Sequence, residues 1–123
     1  MNFRKESKTI KKALEESKKQ VIFQSKVATK SNFVETMSKK PKVLHISCHG
    51  IVNSVNTMGI NPGHFLLFEN GQGKGELVSS EQLGEFMRAA KAELDVVFVA
   101  ACQSENIGRI FQKNGARHVV CVE

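Results

Sequence analysis

Two apolar runs dominate the pattern of hydrophobic and polar positions. The first is Val43-Leu44-His45-Ile46-Ser47-Cys48-His49-Gly50. The second is Leu94-Asp95-Val96-Val97-Phe98-Val99-Ala100-Ala101-Cys102-Gln103-Ser104. Few charges and many β-branched or aliphatic residues are the mark of strands buried on both faces, as in a parallel sheet. Alternation along the first run places His45, Ser47 and His49 on one face and Leu44, Ile46 and Cys48 on the other. Gly50 is expected to break that strand. The second strand ends at Cys102 and a helix-starting turn, so the two runs offer a histidine and a cysteine at matching ends.

The remaining pattern supplies the connections. Ile10, Leu14 and Val21 fall at near-helical spacing among Lys and Glu, which predicts an amphipathic helix over Lys8–Lys19. Glu15 and Lys19 form an i,i+4 pair of favourable orientation on it. Val21-Ile22-Phe23 reads as a short strand. Thr29 is a candidate N-cap for a second helix with Phe33, Val34 and Met37 as its stripe, ended by Lys39-Lys40-Pro41. Ile51–Gly63 carries the Asn, Ser, Gly and Pro of a loop. Phe65–Glu69 and Glu76–Val78 flank a glycine-rich turn and predict a β-hairpin. Ser79 with Gln82 makes a capping box for a helix bearing Leu83, Phe86 and Met87. Ser104 or Asn106 caps a helix around Ile107–Lys113, Gly115 stops it, and His118–Val122 is a last strand.

Strands alternating with helices imply an α/β fold with a mostly parallel sheet between helix layers and one β-hairpin insertion. In such sheets, sites form beyond the carboxyl ends of the strands, where both His49 and Cys102 sit. The chain has 123 residues, which suits one domain, with residues 1–7 as a disordered tail and 8–123 as the folded part. No apolar run reaches the length of a membrane span, and no apolar segment follows the basic N-terminus as in a secretory signal. Three cysteines without a CxxC pair point to free thiols and a cytoplasmic address.

Charge is divided unevenly. Residues 1–42 carry twelve Lys/Arg against four Glu, while residues 43–123 carry six against eight acidic residues. Lysines without Arg-rich or aromatic-interleaved runs read as a solvated helix face and its loops, so no nucleic-acid partner is expected. The glycines of Asn70–Gly75 match neither phosphate-binding loop pattern. His45, Cys48, His49 and Cys102 lack zinc-type spacing, and alternation separates Cys48 from the two histidines, so no metal or other cofactor is expected.

A thiol becomes a strong nucleophile when a neighbouring imidazole takes its proton, and the same imidazole can then protonate a leaving amine. His49 facing Cys102 is the pair this chemistry requires. Backbone N–H groups must also hold the oxyanion. Gly50, with no side chain to block approach, and Cys102, at the turn into a helix, are the candidate donors. Cys48 and Cys121 lie inside apolar strands and read as core residues. His45 reads as a packing residue beside His49.

In order and spacing, five blocks resemble the CHAT domain, a caspase-like family often associated with TPR repeats. They are Val43–Gly50, Phe65–Glu69, Ser79–Leu83, Val97–Ser104 and Gly115–Val120. The resemblance runs from about Lys8 to Glu123 and places the chain with caspases, separases and gingipains. It implies a caspase-like three-layer sandwich. It implies a cysteine endopeptidase with His49 as general acid/base and Cys102 as nucleophile, the amides of Gly50 and Cys102 forming the oxyanion hole. The implied partner is a protein or peptide substrate, with a TPR or other regulatory region in a longer chain. The family's domain continues beyond the strand ending at Val122, so a C-terminally shortened domain is expected. A catalytically inactive scaffold or fragment of the same fold, acting in protein–protein interaction, is the alternative.

Overall fold

The computed structural model describes residues 8–12, 23–53 and 63–122. Residues 8–12 are helical (α1). The expected continuation of that helix to Lys19, the strand at Val21-Ile22, the tail 1–7 and most of the loop before Gly63 lie outside the described residues; Phe23 carries no regular structure.

α2 (Lys30–Ser38) begins as its sequence requires: the Thr29 hydroxyl accepts the N–H of Asn32 at 3.0 Å. Phe33 and Met37, four residues apart, are buried, while Val34 is exposed. Val34 is displaced by about 100° from the Phe33 and Met37 line of a 3.6-residue helix, which takes it off the inward stripe.

The strands form two sheets. The first is parallel, in the order β1 (Val43–Ser47), β5 (Leu94–Ala100), β6 (Ala116–Val122), with Val43 opposite Val96 and Phe98 opposite Val120. The second is antiparallel, in the order β2 (His49–Asn53), β3 (Gly63–Glu69), β4 (Gly75–Ser79). The expected hairpin is β3–β4, closed by Asn70, whose side chain accepts the N–H groups of Gln72 and Lys74. The strand-breaking role expected of Gly50 is not observed. Gly50 lies within β2 and pairs with Leu66, because β3 offers a second ladder to the chain as it leaves β1. The predicted loop therefore opens with three strand residues.

α3 (Ser80–Ala90) starts with both halves of the expected capping box, and α4 (Glu105–Lys113) follows β5. The core cluster lies between these helices and the inward residues of the strands: Ile46, Cys48, Val97 and Val99 from the parallel sheet, Leu66, Phe68 and Val78 from the hairpin. Phe33 ties α2 to β3 and α4 through tilted and edge-on ring contacts with Phe68 at 6.1 Å and Phe111 at 6.3 Å. Such pairs contribute about 1 kcal/mol each beyond area burial.

The fold is thus mixed α/β, with a parallel sheet, a hairpin sheet and helices, compatible with a caspase-like sandwich. One expectation is corrected. The parallel strands were expected to be buried on both faces, yet Val43, His45, Phe98, Val120 and Val122 are exposed. Their apolar character reflects the second face of the sheet, which helices α2 to α4 do not cover.

Candidate active site

The two sheets meet where β1 ends. Ser47 is the last residue of β1, and Cys48 still binds the parallel sheet, donating its N–H to the Ala100 carbonyl at 3.2 Å. His49 already belongs to β2, paired opposite Leu67. Within two residues the chain passes from one sheet to the other, at the carboxyl edge of the parallel strands.

β5 ends at the same edge. Ala101 donates its N–H to the Val122 carbonyl at 3.2 Å, and the chain then turns through residues 101–104 into α4. Cys102 sits in that turn with its thiol residue exposed. The next residue, Gln103, has φ 52°, a left-handed backbone at a residue with a β-carbon. Ser104 stands at the N-cap position of α4, but its backbone is αR and its side chain makes no capping bond. Its hydroxyl is fully buried and without a hydrogen-bond partner among the described residues. Of the two expected caps, Ser104 holds the N-cap position without the side-chain bond, and Asn106 lies inside α4.

The backbones of the two segments touch. A β-carbon placed on Gly50 would stand 2.0 Å from the Cys102 carbonyl oxygen and 3.4 Å from the Cys102 nitrogen. Only a residue without a side chain permits that approach. His49, the neighbour of Gly50, and Cys102 are both exposed at this contact.

The three cysteines differ sharply. Cys48 is buried, and desolvation pushes its thiol up to about 12. Burial disfavours the thiolate, so Cys48 stays protonated through the physiological range. Cys121 was expected in the core; it is exposed as a residue, with its sulfur 3.5 Å from the Ser104 carbonyl, to which the thiol donates. This links β6 to the turn that carries Cys102. The His45 ring lies 6.1 Å from that of Phe98 on the open face of the sheet. Among the described residues, no three His, Cys, Asp or Glu side chains converge as metal ligands.

Sequence reasoning had no handle on two features of this site. Nothing in Cys102-Gln103-Ser104 announces a left-handed residue, since glutamine is not a residue that seeks one. The contact of Gly50 with Cys102 was open only to the general signal of a glycine beside a strand-end histidine.

Comparison with known families supplies the remaining observation: the CHAT domain model matches residues 2–122. The chain belongs to the CHAT domain family. No curated protein and no solved structure gives a significant match. In this CHAT domain, the His-Gly junction between the sheets and the cysteine turn after β5 are the segments that meet at the strand ends. The CHAT domain contains no helix, among the described residues, long and apolar enough to cross a membrane.

Proposed function

We propose that this CHAT domain is a cysteine endopeptidase that cleaves a protein or peptide substrate through a Cys102–His49 dyad. The observation that carries the reading is the seating of Gly50 on the backbone of Cys102, which brings the His49 segment to the exposed cysteine. In the first half-reaction, the Cys102 thiol gives its proton to His49 and the sulfur attacks the scissile carbonyl carbon. The N–H groups of Gly50 and Cys102 serve the oxyanion. Collapse of the tetrahedral adduct breaks the C–N bond, the amine leaves with the proton from His49, and a thioester remains. In the second half-reaction, water gives a proton to His49 and attacks the thioester. The acid product departs and Cys102 recovers its proton. His49 relays the proton in both half-reactions, from the thiol to the amine and then from water to the recovered thiol.

A second reading has its own observation. The open sheet face exposes Val43, Phe98, Val120 and Val122 beside His45, and surfaces with such apolar exposure serve protein–protein contact. It favours the scaffold reading if the dyad is silent.

The test is the pH dependence of Cys102 alkylation by iodoacetamide, resolved by mass spectrometry, in the native chain and in His49→Ala. Fast alkylation near neutral pH that slows when His49 is removed is the expected result. Slow reaction of Cys102 in both proteins would end the catalytic assignment and leave the scaffold reading.

A further inference from the structure

Three residues other than glycine have positive φ among the described residues: Lys40 at 52°, Lys91 at 53° and Gln103 at 52°. Two of them have an ordinary cause. Lys91 is the left-handed C-cap of α3, and Lys40 follows Lys39, the C-cap of α2. Left-handed residues commonly close helices, because they turn the chain while its last carbonyls find donors. Gln103 precedes a helix instead, between Cys102 and Ser104. No capping role explains its conformation.

The side chain does not repay the backbone either. Gln103 is exposed, and among the described residues its carboxamide has no hydrogen-bond partner. Glycine or asparagine would occupy this conformation at lower cost. Unfavourable backbone retained against a better alternative is concentrated at functional sites. Here it is adjacent to the candidate nucleophile.

We propose that Gln103 is a substrate-contacting residue, whose carboxamide pairs with a peptide group of an extended polypeptide beside the bond that Cys102 attacks. The proposal rests on the peptidase reading and adds a recognition element to it. A carboxamide offers an N–H donor and a carbonyl acceptor, the same complement as a peptide group, and accepts any side chain on the partner. Gln103 thereby recognises polypeptide backbone, leaving residue preference to other parts of the groove.

Two alkylating probes separate this role from the dyad itself. Iodoacetamide carries no peptide. A set of acetyl-Ala-Ala-Xaa chloromethyl ketones, with Xaa varied, presents two or more peptide groups. In each ketone the Cys102 sulfur forms a bond to the methylene carbon as the C–Cl bond breaks and chloride leaves. Gln103→Gly and Gln103→Ala both remove the carboxamide, and only the first relieves the backbone. The expected result is an unchanged iodoacetamide rate and a peptidyl rate lowered about tenfold in both variants, the loss of one to two hydrogen bonds. Equal slowing of both probes, slowing in Gln103→Gly alone, or no change in the peptidyl rate would overturn the proposal. So would a wild-type chain that reacts no faster with any of the ketones than with iodoacetamide. Failure of the dyad shows differently, as a Cys102 inert to iodoacetamide before any change at Gln103.

Discussion

Among the described residues the chain enters a helix from a strand twice, each time with a serine at the N-cap position, and the two turns could hardly differ more. At the β4–α3 turn, Ser79 is extended, with ψ 158°. Its hydroxyl accepts the N–H of Gln82 at 3.1 Å, and the Gln82 side chain accepts the N–H of Ser79 at 3.1 Å. Both orphan donors are satisfied and no residue is strained. At the β5–α4 turn, Ser104 has ψ −8°, makes no capping bond and buries an unpartnered hydroxyl, and Gln103 before it is left-handed. The first turn is what a helix start looks like when only stability is at stake. The second gives up cap and backbone comfort in the segment that presents Cys102, which is where a functional constraint would act.

The turn lies against a tightly packed junction, where Cys48 is buried and Gly50 seats on Cys102, so perturbing the junction gives the largest effects. Alkaline pH is the first. Burial holds the Cys48 thiol at about 12 in the fold, against an ordinary thiol value of 9.0 in the unfolded chain. The raised value means that the folded state keeps a proton that the unfolded state releases. Stability is therefore fully present below about pH 9 and falls as pH rises towards about 12, by up to roughly 4 kcal/mol. Urea unfolding at pH 8 and pH 11 measures it, and Cys48→Ala should flatten the difference. An equal pH slope in that variant would place the alkaline loss elsewhere. Next comes Gly50→Ala, whose methyl group would stand 2.0 Å from the Cys102 carbonyl oxygen. The backbones must part, at about 3 kcal/mol. Cys102 alkylation should change along with the melting temperature. A variant that melts normally would mean that the two segments are not held together as the contact indicates.

The contrast between the turns was half visible in the sequence. Ser79-Ser80-Glu81-Gln82 declares its structure because the capping box is local: donor, acceptor and spacing lie within four residues. The strands at Val43 and Leu94 were likewise legible from their composition, and so was the arrival of the segments after β1 and β5 at one edge of the parallel sheet. What was not legible depends on partners distant in sequence. Gly50 reads as a strand breaker until β3 is known to pair with it. Ser104 reads as a cap until its backbone conformation is known. The solvent exposure of Val43 and Phe98 depends on which helices cover which face, and alternation alone does not decide that.

Smaller effects test the turns directly. Ser79→Ala removes a satisfied cap and should destabilise the chain by about 1 kcal/mol in denaturant unfolding, with no change in Cys102 alkylation. A negligible loss there would remove the well-built turn from the comparison. Gln103→Gly should act in the opposite direction. Glycine is at ease at φ 52°, and the gain, about 0.5 kcal/mol after the extra freedom of the unfolded chain, should appear as a higher melting temperature. A loss of stability would show that the glutamine side chain supports the fold, and the backbone cost would then have a structural cause.

The smallest expected change is the most discriminating. Ser104→Ala deletes a hydroxyl that is fully buried and has no partner among the described residues. Removing an unsatisfied polar atom relieves its desolvation penalty, while losing one atom from a packed site costs a little contact. The two nearly cancel, so stability should stay within about 0.5 kcal/mol of the parent, or rise. The same substitution of serine by alanine, at the same helix position, thus costs a measurable amount at Ser79 and nothing at Ser104. A loss of about 1 kcal/mol or more at Ser104 would show that its hydroxyl is bonded in solution, and the turn would be less costly than its geometry indicates. Unchanged melting with slower Cys102 alkylation would sharpen the contrast instead. It would mean that the buried hydroxyl acts on the reactivity of the cysteine two residues before it and contributes nothing to holding the helix.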